Sequence, residues 1–276
     1  DDVKITATPV TDGITMLQGQ GGNIGLFSGP EATFLVDDQF APLTDKILAA
    51  VTAAGGGRPD FVLNTHYHGD HTGGNENLGA TGTVVVAHRH VRDRMSIAKT
   101  ILGGDVPASP EAALPVVTFD ETMTFHLNGH TVEAKHFPNA HTDGDAILHF
   151  TEANVVHMGD LYFQGTFPFV DTDGGGSLLG LIEAIEAILP MCDGDTKVIP
   201  GHGVLSNRAE LEDYLTMLKG VRDAVLPLVQ DGKSMEEITE ANPLEPFLEK
   251  WGGSRFMTPE RFLPIMVQTL QDRATR

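Results

Sequence analysis

The 276-residue chain is 41% hydrophobic, which supports a real core, and residues 1–276 are expected to form one α/β domain. Its formal charge of -20 argues against nucleic acid and anionic membrane surfaces as partners and suits divalent cations. No run of eighteen apolar residues provides a membrane-spanning helix, and the single cysteine, Cys192, permits no internal disulfide.

In chain order, the elements begin with a meander of short strands at 3–8, 14–20, 24–28 and 33–37, broken by turn residues. Apolar spacing at Leu43, Ile47, Leu48 and Val51 ahead of Gly55-Gly56-Gly57 predicts a helix over 42–54. The apolar run 60–65 predicts a buried strand that ends in His66-Tyr67-His68-Gly69-Asp70-His71. A strand at 83–87, a helix at 88–99 and a loop rich in Gly and Pro at 103–115 follow. From Val116 the pattern repeats in kind, with strands at 122–127, 131–137, 146–150 and 154–158 and a helix at 178–189. A strand at 197–200 and helices at 208–230, 234–241 and 259–275 complete the chain. Two βα halves with no linker between them predict two stacked sheets with helices outside.

Three imidazoles and a carboxylate within six residues, placed where a buried strand opens into a loop, form a compact set of metal ligands. Three further segments put a candidate ligand beside glycine, which lets the backbone approach closely: Ala140-His141-Thr142-Asp143-Gly144, His157-Met158-Gly159-Asp160 and Pro200-Gly201-His202-Gly203. His66, His68, Asp70, His71, His141, Asp160 and His202 suffice for two zinc sites. A single histidine on a strand is more often structural, but four such segments reverse that expectation. His88, His90, His126, His130, His136, His149 and His157 carry no ligand pattern and are read as structural, and Cys192 as a buried, inert thiol.

On these residues the chain resembles the metallo-β-lactamase superfamily over nearly its whole length. The family pattern His-x-His-x-Asp-His falls on His66, His68, Asp70 and His71, the third histidine on His141, the bridging aspartate on Asp160 and the late Pro-Gly-His on His202. The resemblance implies a four-layer αββα sandwich with the metals at its upper edge. It implies one zinc held by His66, His68 and His141 and another by Asp70, His71 and His202, with Asp160 bridging or serving the second. It also implies hydrolysis of a small-molecule substrate by water activated between the zinc ions, with Asp70 as the catalytic residue orienting that water. Asp143 or Asp145 is expected to fix the tautomer of a ligand histidine.

The family hosts several chemistries, so the substrate must be read from departures. The best-known lactamases with three histidines at one zinc carry cysteine where Asp160 stands and lysine three residues later, where this chain has Phe163. Arg89, Arg92 and Lys99 remain as candidate rim partners for a substrate carboxylate. The expectation is opening of the β-lactam amide, with a thioesterase of the glyoxalase II type or a lactonase as alternative. An iron-dependent sulfur dioxygenase is the alternative of another class. The first residue, Asp1, is not Met, from which an exported chain, periplasmic or secreted, is expected, a trimmed chain being the other reading. Gly19-Gln20-Gly21-Gly22-Asn23 reads either as a hairpin over the substrate or as a plain turn, Gly174-Gly175-Gly176 as a flexible loop, and Tyr162 and Phe163 as pocket lining.

Overall fold

The computed structural model describes all residues except Asp1, Asp12, Thr275 and Arg276. Strands β1 (Thr6–Thr11), β2 (Ile14–Gln18), β3 (Ile24–Ser28) and β4 (Thr33–Val36) form the antiparallel meander. Helix α1 (Thr44–Ala53) then crosses to β5 (Phe61–Asn64), parallel to β4. Short helices α2 (Gly69–Thr72) and α3 (Asn75–Ala80) lead to β6 (Val84–His88), again parallel. Helix α4 (Arg89–Met95) and a separate hairpin of β7 (Lys99–Ile101) and β8 (Gly104–Val106) precede β9 (Val117–Phe119). That strand closes a seven-stranded sheet of order β1-β2-β3-β4-β5-β6-β9.

The second sheet runs in sequence order through β10 (Thr122–Leu127), β11 (His130–His136), β12 (Ala146–Phe150), β13 (Val155–His157), β14 (Lys197–Ile199) and β15 (Ser206–Asn207). Helix α5 (Leu178–Ile188) makes the crossover between the parallel pair β13 and β14. Helices α6 (Arg208–Gln230), α7 (Met235–Glu240), α8 (Glu245–Trp251) and α9 (Pro259–Ala274) follow.

Side-chain alternation divides these strands between layers. Phe34, Val36 and Leu63 meet Val132, Ala134, Leu148 and Phe150 between the sheets. Leu35, Val62 and Val85 face the other way, against Ile47 and Val51 of α1. Behind the second sheet, α5, α6 and α9 cover Ile147, Val156 and Val198. Strands buried on both faces explain the continuous apolar runs, and the result is the expected αββα sandwich.

Several boundaries differ from the expected ones. The first strand lies later, at Thr6–Thr11, and the helix expected over 88–99 stops at Met95. The β-branched residues Thr100 and Ile101 flank a Leu102-Gly103 turn, with positive φ at both turn residues, and so pair as a hairpin that extends into the expected loop. Helix α8 was masked in the sequence by Pro246, which sits in the first turn, where its missing N–H is no loss. The last expected helix ends at Ala274, its predicted final residue Thr275 lying outside the described residues.

Candidate metal centre

The parallel pairs deliver the site. Residues that follow β4, β5, β13 and β14 all emerge at one sandwich edge, where rigid strand ends aim the side chains of Asp37, His66 to His71, Asp160 and His202. The turn between β11 and β12 adds His141. His68 Nδ1 lies 3.1 Å from His66 Nε2 and 3.0 Å from His141 Nε2, and Asp160 Oδ2 lies 3.8 Å from His66 and 3.6 Å from His141. The second group is Asp70, His71 and His202, with His71 Nε2 3.4 Å from His202 Nε2 and both rings near Asp70 Oδ2, at 3.6 and 3.4 Å. Asp160 stands between the groups, its Oδ1 3.1 Å from His71 Nε2. All seven sequence candidates therefore converge on one place.

Hydrogen bonding on the outer side of each ring fixes what faces inward. Thr65 Oγ1 donates to Asp37 Oδ2 at 2.8 Å, so it accepts the Nδ1 proton of His66 at 3.0 Å. His141 Nδ1 donates to the Phe169 carbonyl at 2.7 Å, and His68 Nε2 to Asp171 Oδ2 at 2.9 Å. His71 Nδ1 donates to Asp37 Oδ2 at 2.7 Å. The inward nitrogens of His66, His68 and His141 thus present lone pairs to one another. Asp160 Oδ1 is buried without a hydrogen-bond partner. Facing lone pairs and an orphaned carboxylate oxygen fit a bound cation, which would remove the repulsion.

The electrostatics agree. Burial, with the other rings of the cluster, pushes His66 well below its ordinary value, and burial takes His141 down to about 4, so both rings stay neutral as ligands must. Burial would raise Asp160 and Asp70, but the adjacent His71 and His202 rings outweigh it, holding Asp160 well below the carboxylate range and Asp70 at about 2. Against burial, Asp160 draws His71 upward and His202 to about 9, the mark of surplus negative charge.

A family profile described as the metallo-beta-lactamase superfamily matches residues 17–217. The chain belongs to that superfamily. It is 28% identical over 192 residues to a hydroxyacylglutathione hydrolase of Polaromonas sp., covering 69% of this chain and 66% of that protein. With the hydroxyacylglutathione hydrolase of Nitrosococcus oceani it shares 29% identity over 169 residues, 60% of this chain and 57% of the other. The chain thus spans less than two thirds of these relatives. Among solved structures, a metallo-beta-lactamase from Pontibacter korlensis superposes with a TM-score of 0.65 at 18% identity, covering 78% of this chain and 99% of that one. One from Pseudomonas aeruginosa in a mono-zinc form gives 0.62 at 20% identity, with 79% and 96% covered. At such identities these two show the fold alone.

Within this superfamily chain, the residues that orient the imidazoles differ from the expected ones. Asp143 and Asp145 touch no candidate ligand ring. Asp143 pairs with Arg94 at 2.7 Å, and Asp145, raised to about 7 by burial, accepts from the backbone N–H and hydroxyl of Thr142. Asp37 and Asp171 do that work instead. Asp37 closes the buried strand 33–36 and is signalled only by that placement, whereas Asp171 has no sequence signal beyond its nearness to a glycine run.

The 19–23 turn is a wall of the site. Gly22 N–H donates to the Asp70 carbonyl, Gln39 Nε2 holds the Gly22 carbonyl at 2.6 Å, and Asn23 binds the Pro200 and Gly203 carbonyls. Gly174-Gly175-Gly176 is packed, not loose, since a Cβ on Gly176 would stand 2.1 Å from the His141 carbonyl oxygen. Phe163 lines the site, flat on His202 at 5.1 Å, but Tyr162 points into the helical layer beside Tyr214 and bonds Ser206. Of the rim cations, Arg89 and Arg92 are paired with Asp120 and Glu111, and Lys99 lies over the Tyr67 ring with its ammonium on backbone carbonyls. Cys192 is buried, its thiol pushed up to about 11 by desolvation.

Proposed function

We propose that this chain is a hydrolase that holds two zinc ions and cleaves acyl thioesters. Water adds at the thioester carbonyl carbon, the carbon–sulfur bond breaks, and a carboxylic acid and a thiol leave. Phe163 carries the reading. It occupies the place where, by the family resemblance, a lysine would grip the β-lactam carboxylate, and it is buried flat against His202 at 5.1 Å with no charge to offer. A thioester carbonyl is neutral and needs no such partner. The relatives named as hydroxyacylglutathione hydrolases support the same choice. The β-lactam expectation takes second place, resting on likeness of fold.

In this reading His66, His68 and His141 would hold one ion and Asp70, His71 and His202 the other, with Asp160 within reach of both donor sets. Bound zinc supplies Lewis acidity and brings the pKa of water towards neutrality. Asp70 and His202 are the open members, with about a third of each side chain exposed (29% and 33%), so the substrate enters on their side. Asp70, ionised throughout the neutral range, accepts a hydrogen bond from the attacking water and aims it at the carbonyl carbon. Phe163 and Phe169 exclude bulk water from the imidazoles behind.

The test is metal analysis of the purified chain with parallel turnover of a 2-hydroxyacyl glutathione thioester, a lactone and a chromogenic β-lactam, each with and without chelator. Two zinc equivalents with chelator-sensitive thioester cleavage are expected. Cleavage of the β-lactam alone returns the reading to a lactamase, and bound iron without hydrolysis replaces it with an oxidoreductase.

A further inference from the structure

Phe256 is the one aromatic among the large hydrophobic side chains that the described surface leaves exposed, at 51%. Ser254 Oγ accepts from the backbone N–H groups of Phe256 and Met257 at 3.1 and 3.0 Å, and Arg261 Nη1 donates to the Phe256 carbonyl at 3.0 Å, so the backbone that carries the ring between α8 and α9 is tied down. The ring stands edge-on to Phe169, with centroids 6.2 Å apart and an interplanar angle of 89°. Phe169 in turn lies nearly flat on His68 at 5.6 Å and edge-on to His141 at 5.6 Å. A chain of ring contacts therefore runs from solvent at Phe256 through the buried Phe169 to the His68 and His141 imidazoles. A phenyl group held in water at the open end of a buried ring stack gains by being covered, and the edge-to-face geometry favours another ring or an alkyl chain.

We propose that Phe256 and Phe169 form a subsite for an apolar acyl group, which makes the substrate an ester or thioester of an arylalkyl or alkyl acid rather than of a short hydroxy acid. The bond that is cleaved rests on the hydrolytic reading above, whereas the apolar group is argued from the ring stack. Water adds to the acyl carbon, the carbon–sulfur or carbon–oxygen bond breaks, and the apolar acid is released from the Phe256 side while the thiol or alcohol departs with the proton.

The test measures binding separately from turnover. The zinc-loaded whole chain is titrated calorimetrically with phenylacetate and with lactate, both bearing the carboxylate of a product acid. Phenylacetate is expected to bind about tenfold or more tightly, the factor carried by burying roughly two methylenes of apolar surface. Phe256→Ala is expected to bring the ratio to about twofold or less with zinc content and lactate affinity unchanged, and Phe256→Leu to keep most of it. Equal affinities for the two acids in the unaltered chain, or a ratio that survives Phe256→Ala, overturns the subsite. Phenylacetyl and lactoyl thioesters are assayed alongside. If neither is cleaved the thioester reading fails, and the binding ratio still decides the subsite.

Discussion

His71 donates its Nδ1 proton to Asp37 Oδ2 across 2.7 Å, with neither side chain exposed. The same carboxylate accepts the Thr65 backbone N–H at 2.7 Å and the Thr65 hydroxyl that receives the His66 proton, so Asp37 sets one ring in each donor group. Its backbone φ of 63° is one that Asn also tolerates. Asp37→Asn exchanges one acceptor oxygen for an amide donor at nearly constant volume. Metal affinity is expected to fall about 10–100-fold, read by competition with a chromophoric chelator. Unchanged affinity would remove Asp37 from its orienting role.

Gly22→Ala tests the wall. A Cβ there would stand 2.1 Å from His71 Cε1, while the Gly22 N–H and carbonyl are already fixed by Asp70 and Gln39. The turn cannot retreat without losing those bonds, so the His71 ring must move. Loss of one metal equivalent, from the group of Asp70, His71 and His202, is expected with the three-histidine group still loaded and the far-ultraviolet spectrum intact. Two equivalents held with unaltered affinity would show that the turn yields instead.

Much of this was legible in the sequence, for identifiable reasons. The layers follow from apolar runs such as Thr33–Val36 and Phe61–Asn64, because a strand buried on both faces leaves no polar alternation. Helix α6 was readable end to end, since Asn207 caps it and its apolar stripe is continuous. The seven candidate ligands announced themselves by local spacing and neighbouring glycines. Their orienting partners did not. Asp171 reaches His68 from 103 residues away and Asp37 reaches His71 from 34 away, through contacts that only the packing of loops creates. Sequence nearness pointed to Asp143 and Asp145, whose carboxylates turn instead to Arg94 and to the Thr142 backbone.

Asp171→Asn and Tyr67→Phe separate holding a ligand from lining a pocket. Asp171 Oδ2 accepts from both His68 Nε2 and the Tyr67 hydroxyl, and Oδ1 from the Gly174 N–H. Despite burial, the His68 and Tyr67 bonds keep its carboxyl at about 2. The Asn variant is expected to lose about 10–100-fold in metal affinity at the three-histidine group. Tyr67→Phe removes one of the carboxylate's donors and leaves the His68 contact, so it should cost less than tenfold. Equal losses for the two variants would place Tyr67, not Asp171, in control of the ring.

Asp70→Ala removes the carboxylate on the open side of the cluster while leaving His66, His68 and His141 in place. Turnover is expected to fall by about a hundredfold or more, the order of loss seen when a reacting group is no longer positioned. The three-histidine group should retain its metal, read by metal analysis after dialysis. Turnover within about twofold of the unaltered chain would remove Asp70 from the reaction.

A pH effect is expected away from the centre. The buried His88 ring lies flat on His136, with centroids 3.6 Å apart, and His90 stands edge-on at 4.8 Å. His90 and His136 each bond a backbone carbonyl of the segment that follows His141, those of Asp143 and Asp145. Burial, then the two neighbouring imidazoles, take His88 down to about 4, against an unfolded value of about 6.5. A depressed histidine means that the unfolded chain binds more protons between those values. The stability His88 contributes is therefore complete above about pH 6.5 and is lost as pH falls towards 4. His88→Asn, which can still accept the His90 N–H, should flatten the dependence of unfolding free energy on pH in that window by up to about 1.4 kcal/mol per pH unit. Urea unfolding of both proteins, zinc-free, at several pH values between about 4.5 and 6.5 measures the two slopes. Parallel slopes would show that His88 titrates alike in both states and that the stacked rings are indifferent to charge.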